Sequence, residues 1–204
     1  MRRESERYHM LTIAIFDIYR DYGFCVFPID VELVCKKMSV LLKRYSEYNK
    51  ETQELFVKRS RYGFFARGWS KKPPTIYYND KFGSIGAIRL TILHEIKHYV
   101  FNEDSSDEEY DDLATFFARS FLCPIPYLMI KGIETPETIA SHCLVSLEAA
   151  NNVASNIQNR KKWYGNAIFG YEEDFLRFLD EGAYEEFIRS QGGKEVSVIV
   201  LCRL

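Results

Sequence analysis

The chain has 204 residues, 47% hydrophobic and 27% charged, which suits one folded domain with at most a short extension and argues against a disordered chain. A formal net charge of −2 offers no general electrostatic attraction to nucleic acid or to an anionic membrane. Five scattered cysteines (Cys25, Cys35, Cys123, Cys143 and Cys202) form no C-x-x-C pair, so they read as small hydrophobes of a reducing compartment, not as a disulfide frame or a cysteine zinc site.

The N-terminus is charged, and the apolar stretch behind it is broken by Asp17, Tyr19, Arg20 and Asp21, unlike a signal peptide. No apolar run approaches the ~18 residues of a membrane span. The expectation is a soluble, cytoplasmic protein. Helical spacing runs from about Glu4 to Tyr22, with Gly23 as its C-cap. Asp30 is placed to cap a helix that begins at Val31. Short strands are expected around Val40–Leu42, Tyr62–Ala66 and Thr75–Tyr78, and Asn79, Asp80 and Gly83 mark a turn. Helical periodicity returns from about Ile85 to Phe101 and from about Asp107 to Leu122, with Pro124 and Pro126 read as ending that pair. Helices are expected over Glu137–Cys143, Leu147 to about Lys161, and near Glu172–Leu179; Val196–Leu201 reads as a strand. The pattern is α+β, a small mixed sheet beside several helices.

One of these helices carries His94-Glu95-Ile96-Lys97-His98, an H-E-x-x-H motif. With four histidines in the chain, roughly one shuffled chain in a hundred or more would contain it by chance, so context must add weight. Residues i and i+4 leave the same face of a helix one turn apart, which lets two imidazoles reach one Zn²⁺. Glu95 sits about 100° round the helix, beside such an ion but not bound to it. Leu93, Ile96 and Val100 supply an apolar side. A catalytic zinc needs a third protein ligand and an open position. The next helix is acidic in its first turn, Ser106…Glu109 has the capping-box form, and Ala114 and Ala118 permit close packing. By helical phase, Glu108, Asp111 or Asp112 could face the metal.

These blocks resemble the ImmA/IrrE metallo-endopeptidases. The matching residues are Phe27–Asp30, Thr75–Asn79, Arg89–Tyr99, Asp111–Pro124, Ile139-Ala140 and Val145–Ala150, with the order and spacing of four separate blocks agreeing, covering roughly residues 24–155. The resemblance implies a zincin-like domain of the gluzincin type over residues 1–163, with a helix-turn-helix-like pair at 136–162 and a C-terminal extension at 164–204. It implies His94 and His98 as zinc ligands, Glu95 as the catalytic general base, and Asp111, where the family usually has Glu, as the third ligand. Thr115 stands where the family usually has Asp or Asn, as a partner orienting a ligand histidine. The implied activity is zinc-dependent cleavage of a specific protein, typically a helix-turn-helix repressor encoded by a phage or mobile element.

Two other readings remain. Residues 136–162 have the form of a DNA-binding helix-turn-helix, in which Asn151, Asn152 and Asn156 could read bases and Arg160, Lys161 and Lys162 could touch phosphates. The second helix opens with Leu, Glu and two Ala instead of basic residues, which favours simple packing. The other reading is a zincin-like scaffold that binds partners without cleaving them, which the departures at Asp111 and Thr115 keep open.

Overall fold

The computed structural model describes residues 2–70, 72–102 and 111–191. It is an α+β structure, and its described residues cluster into two compact units. One is formed from residues 30–70, 72–102, 111–122 and 144–146, the other from residues 2–29, 123–143 and 147–191. The expected strand at Val196–Leu201, and the expected helix start at Asp107 with its capping box, lie outside the described residues.

The first unit holds the sheet. Its elements are α2 (Val31–Lys37), β1 (Leu41–Arg44), α3 (Lys50–Arg59), β2 (Gly63–Ala66), β3 (Thr75–Tyr78), α4 (Ile85–Val100) and α5 (Asp111–Leu122). Asp30 caps α2, its Oδ1 accepting the Glu32 and Leu33 N–H groups at 2.9 and 3.0 Å. The strand order is β1-β3-β2, with β1 parallel and β2 antiparallel to β3. The β-branched and aromatic run Thr75–Tyr78 takes the centre, where both edges of the strand are paired. Helix α4 packs on β2 and β3, burying Ile92, Leu93 and Ile96. Gly63 makes the close approach possible: a Cβ there would stand 2.8 Å from Thr91 Cγ2 and 2.9 Å from the Tyr77 carbonyl oxygen.

An aromatic cluster forms around α3. Phe56 lies 5.1–5.4 Å, ring centre to ring centre, from Tyr45, Tyr48, Phe64 and Tyr77. Sequence periodicity did not predict α3, because its apolar residues Leu55-Phe56-Val57 are consecutive and only Phe56 docks, leaving Leu55 and Val57 exposed. The signal that was present is Asn49, whose Oδ1 accepts the Thr52 N–H at 2.9 Å as an N-cap.

The second unit is helical: α1 (Arg2–Tyr22), α6 (Ile125–Ile130), α7 (Pro136–Cys143), α8 (Leu147–Tyr164) and α9 (Gly170–Ser190). Gly23 closes α1 at φ +69°, as its position predicts. Phe175 of α9 stacks on Phe16 at 3.8 Å and meets Tyr19 edge-on at 5.4 Å. Pro124 and Pro126 do not merely end a helix; they begin α6, as its N-cap and within its first turn. A proline costs nothing there, since first-turn N–H groups have no intrahelical partner. The segment expected at Glu172–Leu179 is the first part of α9. At Asp180 the backbone leaves helical values (φ −163°, ψ 86°), and the Asp180 carboxylate accepts the Ala183 N–H at 2.9 Å, restarting the helix.

Of the described cysteines, Cys35, Cys123 and Cys143 are buried and Cys25 is exposed, and none of the four is in a disulfide. The stretch Asp111–Ile130 is long and apolar enough to cross a membrane by composition (mean hydropathy 1.5), and 72% of that window is buried within the protein.

Candidate functional site

Helix α4 presents His94, Glu95 and His98 within the sheet unit. Ser84 caps its start, accepting the Ala87 N–H at 3.2 Å, and its apolar side is clamped on the sheet, so the motif sits on a rigid element. The two imidazoles share a face, ring centres 5.2 Å apart with planes at 58°. His98 is buried. Burial lowers the pKa of His94, Lys97 lowers it further, and Asp111 opposes the change, so the neutral imidazole that a metal ligand requires is favoured.

Helix α5 packs on α4 and brings Asp111 to the same place. Asp111 Oδ1 stands 3.3 Å from His94 Nε2. Two ligands ~2.0–2.1 Å from one tetrahedral zinc stand about 3.3–3.4 Å apart. Donor chemistry and this separation therefore fit zinc held by His94 and Asp111, with His98 one turn along the same helix face. The same separation also serves a direct imidazole–carboxylate contact. Among the described residues, no three His, Cys, Asp or Glu side chains close around one point. Glu108, a ligand candidate by phase, lies outside the described residues. Asp112 is exposed and does not line the cleft described below.

Glu95 is 5% exposed. Its Oε2 accepts the Phe65 N–H at 2.8 Å. Phe65 lies opposite Ile76 in the β2–β3 register, yet its N–H turns away to Glu95. The carboxylate thus sits at the free edge of an edge strand. Burial pushes its pKa up to about 7; Asp111 adds to the rise, while the Phe65 hydrogen bond and Arg59 oppose it. A buried carboxyl that titrates near neutrality can both take and give a proton.

Beside these groups opens a cleft of about 470 Å³. Its floor is α4 (Leu90, Thr91, His94, Glu95), and one wall is α5 (Asp111, Thr115, Ala118, Arg119). The other wall is the end of α3 and start of β2, including Arg59, Tyr62 and Phe64. Thr115 lines the cleft. Tyr99, one residue beyond the motif, donates its hydroxyl to the Met38 carbonyl at 3.2 Å, a core contact. His142 is half-buried in the helical unit, stacked on Phe27 at 5.3 Å and tilted against Tyr127 at 5.9 Å.

Sequence reasoning missed Arg59, Arg119 and the Phe65 N–H. Arg119 had a signal: positions 111, 115 and 119 are spaced by four, which aligns them along one side of a helix. The Phe65 N–H had none, since a backbone donor is revealed only by strand pairing.

Two of the three cations named for phosphate contact are paired with carboxylates, and Lys162 is exposed. Arg160 makes a two-pronged contact with Glu172 (2.6 and 2.6 Å), and Lys161 Nζ lies 2.5 Å from Glu134. No protein-family model, curated protein or solved structure matches the chain.

Proposed function

We propose that the protein is a zinc-dependent endopeptidase with a zincin-like domain, resembling the ImmA/IrrE enzymes, that cleaves a specific protein substrate such as a helix-turn-helix repressor. The observation that carries this reading is the position of Glu95. It is buried, held by the free edge of β2, on the same helix as an imidazole that stands 3.3 Å from a carboxylate.

His94, His98 and Asp111 would hold the ion. Bound zinc would acidify a water molecule and polarise a peptide carbonyl. The remaining chemistry belongs to the chain. Phe65 holds Oε2 of Glu95, which leaves Oε1 for proton transfer. Glu95 accepts the proton of the attacking water and delivers it to the leaving amine, so the nitrogen departs neutral. An extended substrate aligns along the edge of β2, because edge strands offer unpaired backbone groups.

The test measures bound zinc and cleavage of a co-encoded repressor, in wild type and Glu95→Gln. About one equivalent of zinc in both proteins, with cleavage confined to wild type, is expected. Less than about a tenth of an equivalent in wild type sinks the reading. A second reading, a zincin-like scaffold that binds partners without cleavage, draws on the lack of three converging donors among the described residues. It predicts partner binding without zinc. The engagement of Arg160 and Lys161 weighs against DNA binding, which salt-dependent binding of duplex DNA would reveal.

A further inference from the structure

Among the described residues, several arginines are paired with carboxylates. Arg160 is paired with Glu172, Arg177 with Glu173 and Glu185, and Arg44 with Tyr78 and Glu32. Arg59 and Arg119 differ. Both line the cleft beside Glu95, and among the described residues neither meets a carboxylate within ion-pair distance. Arg59 ends α3 and is held with its guanidinium 4.1 Å from the centre of the Phe64 ring, a cation–π contact that positions the charge without neutralising it. Arg119 is only partly exposed, and its Nε is shut off from solvent with no hydrogen-bond partner among the described residues. A guanidinium in such a place favours an anion from outside, since a carboxylate satisfies both its charge and its forked donors.

We propose that Arg59 and Arg119 form an anion subsite of the cleft that selects a carboxylate of the bound peptide. The inference rests on the peptidase reading for the direction of the substrate, not for the charge of the subsite. Arg119 follows Asp111 by eight residues on α5, ~12 Å along the axis. An extended chain rises ~3.3 Å per residue, so the selected carboxylate lies within about four residues of the bond that is cleaved. Two sources share this chemistry: an acidic side chain within the substrate, or the carboxylate at a chain end.

Binding tests this without turnover. Fluorescein-labelled alanine-based peptides of about eight residues are titrated onto the full-length Glu95→Gln protein by anisotropy. One set is C-terminally amidated and carries a single Glu at each position in turn. A second replaces that Glu by Gln, and a third has no Glu and a free C-terminus. A preference of roughly tenfold for a Glu peptide over its Gln twin identifies a side-chain carboxylate, and the same preference confined to the free C-terminus identifies a chain end. Either supports the subsite if Arg119→Gln or Arg59→Gln removes the preference and Arg119→Lys keeps part of it. Equal binding of all three sets, no binding of any, or a preference that survives both Gln variants overturns it. Unfolding curves of each variant identify any that fails to fold, and the remaining arginine variant then decides. A carboxylate preference with no zinc and no repressor cleavage leaves the subsite standing and removes the peptidase; cleavage without that preference does the reverse.

Discussion

Two buried glutamates behave in opposite ways. Glu172, 1% exposed, receives both prongs of Arg160 and the Phe169 N–H at 2.9 Å. Glu95, 5% exposed, receives one backbone N–H and meets no cation within ion-pair distance among the described residues. The first arrangement answers the carboxylate's charge and most of its acceptor capacity, so it locks α8 to the start of α9. The second leaves capacity unused in a low-dielectric place, which raises the affinity for a proton. A satisfied buried charge serves structure; an undersatisfied one beside a cleft is available for chemistry.

The contrast breaks most sharply in activity. Under the peptidase reading, Glu95→Gln lowers repressor cleavage about a hundred- to ten-thousand-fold, while Glu172→Gln leaves the rate of the folded fraction unchanged. In stability the order reverses. Arg160→Ala strands the Glu172 charge and costs about 3–5 kcal/mol in urea unfolding, whereas Arg160→Met combined with Glu172→Leu recovers most of it. If the single substitution costs under about 1 kcal/mol, the pair is not the lock described.

Glu95→Gln stabilises the metal-free protein, and the effect depends on pH. The folded pKa of Glu95, about 7, lies above the ordinary 4.5 of the unfolded chain. The folded state therefore holds the proton more tightly, and wild type loses stability as pH rises from 4.5 to 7. Replacing the carboxyl has no effect near pH 4 and gains, at most, on the order of 3 kcal/mol above pH 7. Urea midpoints in EDTA at pH 4 and pH 8 check this, and a gain that is equal at both refutes the pKa assignment. Gly63→Ala follows, at about 1–3 kcal/mol of lost stability, since the added methyl meets Thr91 and the Tyr77 carbonyl. The smallest effect is Asp180→Ala, about 1 kcal/mol for a lost cap. The bond from the Ala183 N–H, then Lys131, hold the Asp180 pKa below its ordinary value, so its contribution is present above the unfolded pKa and disappears as pH falls through the folded one. Thermal melts of the two proteins should converge in acid.

Much of the local structure was legible in the chain. Thr75–Tyr78 is a strand because its residues suit one, Asp30 and Gly23 cap helices as their types require, and the helix carrying His94, Glu95 and His98 follows its periodicity. The failures were local too. Helix α3 shows no apolar stripe, and the prolines of α6 were read as stops because proline ends one helix and starts another with equal ease. For the candidate site, the sequence by itself determined that His94 and His98 share a face and that Asp111, Thr115 and Arg119 run along one side of the next helix, since both follow from 3.6 residues per turn. Only the tertiary structure decided that Asp111 stands 3.3 Å from His94, that Phe65 turns an N–H to Glu95, and that Arg59 lines the same cleft as Arg119. Those facts depend on how elements pack on one another. Spacing along a helix is covalent and periodic, whereas the environment that raises the pKa of Glu95 is made by residues distant in the chain.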